Sequence, residues 1–103
     1  MFYKNYNPAW GPVTRAGYGR KPYILVTLPD GRVLEGRASA WTKNKVLATF
    51  VDPEKPPQIV AGVTVHRQSV WMDAEHIERI PRRDATKKNP YDDTNWFEQQ
   101  GEL

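Results

Sequence analysis

The chain contains no cysteine. Disulfides and thiolate metal sites are therefore excluded, and a small secreted fold would lack its usual covalent support, which fits a reducing compartment. Histidine is scarce, with His66 and His76 the only two. Asp73 and His76, three residues apart, supply too few donors for a metal, so both histidines are read as surface residues. No apolar run approaches the ~20 residues of a membrane helix. Met1 to Trp10 lacks the apolar segment of a secretory leader, so a cytoplasmic location and no membrane partner are expected. No glycine-rich phosphate loop joins a strand to a helix, which removes the nucleotide-binding fingerprints. Neither Ser39 nor Ser69 has an evident base with an orienting partner, so no catalytic triad is visible. The chain reads as a non-enzyme with no cofactor, no catalytic residue and no metal.

What is present is a close punctuation of short apolar runs. Nine prolines and seven glycines are spread through 103 residues, the pattern of an all-β domain. Three zones separate: an aromatic, basic arm over 1–22, a β-barrel domain over 23–81, and a polar tail over 82–103 with one short helical turn. The domain opens on the strand Tyr23–Leu28, with Ile24, Val26 and Leu28 on one face by the two-residue period. Pro29-Asp30-Gly31 has the composition of a tight hairpin turn closed by a left-handed glycine, and it predicts a second strand over Arg32–Trp41. There Leu34, Gly36, Ala38 and Ala40 share one face; Glu35, Arg37, Ser39 and Trp41 share the other. Gly36 in mid-strand marks a bend or a close backbone approach. Further strands are expected over Lys45–Asp52, Gln58–His66 (with a kink at Gly62), Ser69–Met72 and Ile77–Ile80. Asp73 is placed to cap the single turn before the last of them. The sum is a five-stranded, SH3-like small barrel.

The run from Val26 to Gly36 resembles the first motif of Sm and LSm proteins, with Leu28, Gly31 and Gly36 at matching spacing. Val65–Val70 is loosely similar to the second motif. The loop Trp41–Lys45 lacks the aspartate that RNA-binding Sm proteins carry, so the resemblance implies the barrel more than RNA binding or ring assembly. The close of the domain, Val70–Ile80, equally resembles SH3-like, Tudor-like and KOW-type barrels. The overall style is similar to small proteins of actinobacteria and their phages.

Charge is unevenly distributed. Positions 1–21 hold Lys4, Arg15, Arg20 and Lys21 and no acid, whereas 89–103 hold four acids and no base. A basic body favours nucleic acid and an acidic, aromatic end favours protein. Tyr3, Tyr6 and Trp10 offer faces for unpaired bases, and Arg15, Arg20 and Lys21 could neutralise phosphates. Arg37, Lys43, Lys45 and Arg67 are candidates for a basic barrel face, and Arg82 and Arg83 begin a second cluster. The opposing reading of the arm is a terminal strap packed over the barrel. For a protein partner the candidates are Trp41 and Trp71 in a groove, and Tyr91, Trp96 and Phe97 in the tail; the pair Trp96-Phe97 either folds back on the barrel or docks on that partner. Asp93 or Thr94 would cap the helical turn in that tail and Gly101 would end it. The expected function is a binding module, for nucleic acid first and alternatively as a protein-interaction adapter or small inhibitor.

Overall fold

The fold grows from one local turn. In a computed structural model of the chain, which describes residues 2–100, Gly31 adopts φ 90°, open to glycine and strained for other residues. Its N–H donates to the Leu28 carbonyl at 2.9 Å, and the Leu28 N–H donates to the Arg32 carbonyl at 2.8 Å. This three-residue loop is the hairpin that Pro29-Asp30-Gly31 predicts. It joins two strands, Tyr23–Thr27 and Val33–Trp41.

Numbered in chain order, the strands are β1 (Phe2–Tyr3), β2 (Thr14–Arg15), β3 (Tyr23–Thr27), β4 (Val33–Trp41), β5 (Lys45–Val51), β6 (Gln58–Val60), β7 (Val63–Val65), β8 (Arg67–Asp73) and β9 (Ile77–Ile80). One short helix, α1 (Thr94–Gln99), follows. The main sheet is antiparallel, in the order β1-β8-β5-β4-β3-β9, with β2 also paired to β4. The sheet is open, because among the described residues its two end strands do not pair with each other. The chain is therefore all-β. No described helix is long and apolar enough to cross a membrane.

One face of the sheet forms the core. Ile24, Val26 and Leu28 meet Ala38, Ala48, Phe50 and Met72 there, with Phe2, Leu34, Trp41, Val46, Val70 and Ile77 packed around them. The alternation along β3 puts these residues on a single side. Gly36 is needed where β4 crosses β5: a Cβ at this position would lie 2.6 Å from the Thr49 carbonyl oxygen and 3.1 Å from Phe50 Cβ.

Three details differ from the sequence expectations. The irregularity of β4 falls at Ser39, where the register with β5 shifts between Ala38 and Ala40. An extra residue in a strand reverses the facing of everything after it. Trp41, expected on the side of Arg37, accordingly packs against the core cluster. Second, 58–66 is not one kinked strand but the hairpin β6–β7, because Ala61 (φ 50°) and Gly62 (φ 76°) make a two-residue turn. Third, Asp73 makes no side-chain cap and instead pairs with Lys45 at 2.9 Å. The arm packs on the sheet, as its strap reading has it: Phe2 and Tyr3 sit opposite Met72 and Trp71 on β8, and Thr14 and Arg15 opposite Trp41 and Ala40 on β4.

The tail folds back. Asp93 caps α1 by accepting from the Trp96 N–H at 3.1 Å; Gly101, expected to end the helix, lies outside the described residues. Phe97 is buried with Tyr23 and Ala85 in a second apolar cluster, flanked by Ile80 and Trp96.

Candidate functional site on the outer face of the sheet

The face of the sheet turned away from the core can be read in rows across the strands. Register places Arg15, Ala40, Leu47, Trp71 and Tyr3 in one row. A second row runs Ile80, Tyr23, Arg37, Thr49, Ser69. Arg67 lies two residues before Ser69 on β8 and therefore points to the same side.

The first row is roofed by the arm. Asn7 caps a 3-10 turn over Pro8–Trp10 by accepting from the Ala9 N–H at 2.9 Å, and the turn sets Trp10 onto Trp71 with ring centroids 5.6 Å apart. Tyr3 and Tyr6 meet Trp10 edge-on at 5.1 and 5.8 Å. Tyr6 also tilts against Trp71 at 5.7 Å, and its hydroxyl donates to the Gly11 carbonyl. Lys45 Nζ lies 5.5 Å from the Trp10 ring and 5.8 Å from the Tyr3 ring, within cation–π range. Its ion pair with Asp73 holds the ammonium pKa above the usual lysine value and the carboxyl below the usual aspartate value.

Beside the aromatic roof runs a ladder of hydroxyls. Ser39 Oγ and Thr49 Oγ1 are 3.1 Å apart, and Thr49 Oγ1 and Ser69 Oγ are also 3.1 Å apart. Ser69 is exposed, and Ser39 and Thr49 are half-buried. Such hydroxyls donate or accept as a ligand requires.

The second row ends in a clamp that the sequence does not reveal. Asp92 from the tail reaches over Tyr23, and its side chain is fully buried. It accepts from Arg37 Nη2 at 3.0 Å, from Arg82 Nε at 2.9 Å and from the Tyr23 hydroxyl. The same hydroxyl accepts from the Asn89 N–H at 2.9 Å. Arg37 stacks on the Tyr23 ring at 3.8 Å and donates to the Lys21 carbonyl through Nε at 3.0 Å and Nη2 at 2.6 Å. Burial pushes the Asp92 carboxyl up, but hydrogen bonds from Tyr23, Arg82 and Arg37 outweigh it and hold the group below the ordinary aspartate range. Burial, with the bond to Asp92 next, raises the Tyr23 phenol.

Each residue singled out in the sequence now has a place. Tyr3, Tyr6, Trp10, Lys45 and Trp71 come together in the aromatic cluster, and Arg15 shares their row. Lys43 is exposed in the β4–β5 turn, beyond that row. Arg37 and Arg82 are held in the Asp92 clamp, and Arg20 pairs with Asp93 at 3.1 Å. Arg83 lies 3.7 Å from Asp84. Lys21 is exposed beside the clamp, and Arg67 is exposed where β8 begins. Arg15, Lys21, Lys43 and Arg67 have no carboxylate partner among the described residues. Of the protein-partner candidates, Trp41 and Phe97 are in apolar clusters, Trp71 is 4% exposed, Trp96 is half-buried, and Tyr91 is free at the surface. Asp73, Glu75 and His76 bring ligand atoms within 4.8 Å of one another. Lys45 occupies Asp73, and His76 Nε2 lies 3.5 Å from Glu75.

The residues missed in the sequence are Ser39, Thr49 and Ser69, together with Asp92. The hydroxyls stand at outward positions of three strands and become a ladder only once the register is known. No known protein family, curated protein or solved structure matches the chain.

Proposed function

We propose that the protein is a non-catalytic module that binds single-stranded nucleic acid across the outer face of its sheet. One observation carries the reading: a hydroxyl ladder lies beside a raised aromatic cluster, on a face whose cations Arg15 and Arg67 are not neutralised by carboxylates. Bases would stack on the exposed parts of Tyr6 and Trp10, and Ser39, Thr49 and Ser69 would bond to the sugar-phosphate backbone. Arg15, Lys43 and Arg67 would supply the phosphate charge. Arg37, Arg82 and Arg20 are assigned to holding the tail, not to the ligand.

The fold reading that accompanies this is an SH3-like small barrel. The order β9-β3-β4-β5-β8 and the single turn Ala74–His76 before β9 support it. The left-handed Gly31 and the close approach at Gly36 are the two points at which the Sm-type first motif gains support.

The test is the salt dependence of binding to a labelled single strand. Each cation that displaces a counterion from a single strand adds about 0.7 to the slope of log affinity against log salt. Replacing Arg15, Lys43 and Arg67 together by Ala should flatten that slope by about 2. An unchanged slope would remove these three residues from the interface and with them this reading.

A further inference from the structure

The hairpin β6–β7 stands apart from the face just described. Residues 56–65 contain no charge. Among the described residues the two strands pair with each other only, in the register Gln58↔Val65, Ile59↔Thr64, Val60↔Val63. Ile59, Val60 and Val63 are exposed at 77%, 56% and 62%. The turn is tight and preformed, since Ala61 and Gly62 both take the positive φ of a two-residue hairpin loop. Soluble proteins blunt open edges with charge, with proline, with short strands or by covering them. Here the edge is short, three residues after Pro56-Pro57, but it is uncharged, rich in β-branched residues and uncovered.

We propose that this hairpin joins two copies of the chain. The contact is antiparallel pairing of β6 with β6 of the second copy about a twofold axis through Ile59. All three residues of β6 are exposed, whereas Val65 on β7 is half-buried, so β6 presents the more open edge.

Two features favour an identical chain over a dissimilar partner. The strip offers a row of backbone donors and acceptors and aliphatic side chains, with only Gln58 and Thr64 to add polar recognition. An identical strand complements such a row about a twofold axis, residue for residue. Charge favours the same geometry. Lys55, His66 and Arg67 stand at the base of the hairpin, and antiparallel pairing sets each basic base beside the neutral Ala61–Gly62 tip of the other copy, so like charges stay apart. Area sets the strength. A hairpin of eight residues buries well under the roughly 1,200 Å² total of a stable complex, even when both copies contribute. The dimer is therefore weak and forms at high concentration.

The chain has the mass to resolve this by sedimentation equilibrium, at 11.9 kDa for one copy. Between about 10 µM and about 1 mM, a range suited to weak contacts, the wild-type mass should rise from one copy toward two and stop there. Ile59→Lys and Ile59→Glu place like charges opposite each other across the axis, so each alone should stay monomeric with an unchanged circular-dichroism spectrum. Mixed in equal amounts, the two variants should restore the dimer. A monomer at the highest concentration, a mass climbing past two copies, dimerisation of either single variant, or a mixture that stays monomeric would each overturn the proposal. As the native chain has no cysteine, Ile59→Cys gives a second readout. Oxidation should yield a cross-linked dimer, and its absence at a concentration where the wild type is dimeric would show that β6 is not the contact.

Discussion

Replacing Asp92 by Asn perturbs the contact that holds the tail to the sheet. The side chain is fully buried and receives hydrogen bonds from Tyr23, Arg37 and Arg82. An amide at this position keeps one carbonyl oxygen and turns an NH₂ group toward a guanidinium. With its carbonyl at the Oδ2 position the amide keeps the bonds from Tyr23 and Arg82, now without charge assistance, and loses the one from Arg37 to Oδ1. The lost bond costs about 1.5 kcal/mol and the weakening of the other two about as much again, so the cost is about 3 kcal/mol. This is the lower end of what breaking a buried ion pair costs, because the side chains of Arg37 and Arg82 retain 20% and 22% exposure and can recover water. Out of a total of roughly 5–15 kcal/mol, that loss leaves a folded but weakened protein. A chain of this size loses about 4 °C or more of melting temperature per kcal/mol, so the midpoint should fall by more than about 10 °C. The assay is thermal and guanidinium unfolding followed by circular dichroism, with amide exchange to locate the damage. Protection should be lost first in α1 and in 82–93, while β4, β5 and β8 keep theirs. A loss under about 1 kcal/mol, or one spread evenly over the sheet, would refute the view that this carboxylate clamps the tail.

Other consequences are quicker to check. Gly36→Val should destabilise by more than about 2 kcal/mol in urea titration, since its Cβ would press on the Thr49 carbonyl at 2.6 Å. Ala61→Asn should stabilise by up to about 1 kcal/mol, because asparagine tolerates the positive φ at that turn better than alanine does. Arg32 binds Asp52 through two nitrogens at 2.8 and 3.0 Å, and those bonds lower the Asp52 carboxyl to about 2. A depressed carboxyl stabilises the fold above its unfolded value, so this contribution should be complete at neutral pH and fade as pH falls from about 4 toward 2. Arg32→Met should remove most of that acid sensitivity in a pH series of unfolding midpoints, and an unchanged profile would assign it to other carboxylates.

How far the sequence could be read depended on how local the deciding contacts are. The turn at Pro29-Asp30-Gly31 is settled within five residues and was legible; the cap of α1 was narrowed to Asp93 or Thr94, of which Asp93 is used. The bulge at Ser39 was not, because it exists only relative to β5; missing it puts Trp41 on the wrong face. The hairpin at Ala61–Gly62 was obscured because alanine rarely adopts positive φ, so the pair does not read as a turn. In the candidate site, the aromatic arm could be identified by composition, but its contact with Trp71 spans more than sixty positions of chain. The Asp92 clamp was hidden for a similar reason. A carboxylate in an acidic tail reads as solvated until Arg37, 55 residues away, and Tyr23 are known to surround it. Counting cations in the sequence therefore overstated the free positive surface: Arg20, Arg37, Lys45 and Arg82 are all paired.

Recognition of single strands by the outer face is tested by titrating the protein into fluorescent single-stranded RNA, single-stranded DNA and duplex DNA of one sequence, reading anisotropy at low and near-physiological salt. Both single strands should bind more tightly than the duplex, since stacking on Tyr6 and Trp10 needs unpaired bases, and binding should weaken steeply with salt. No binding at low salt, or a duplex bound as tightly as the single strands, would contradict it.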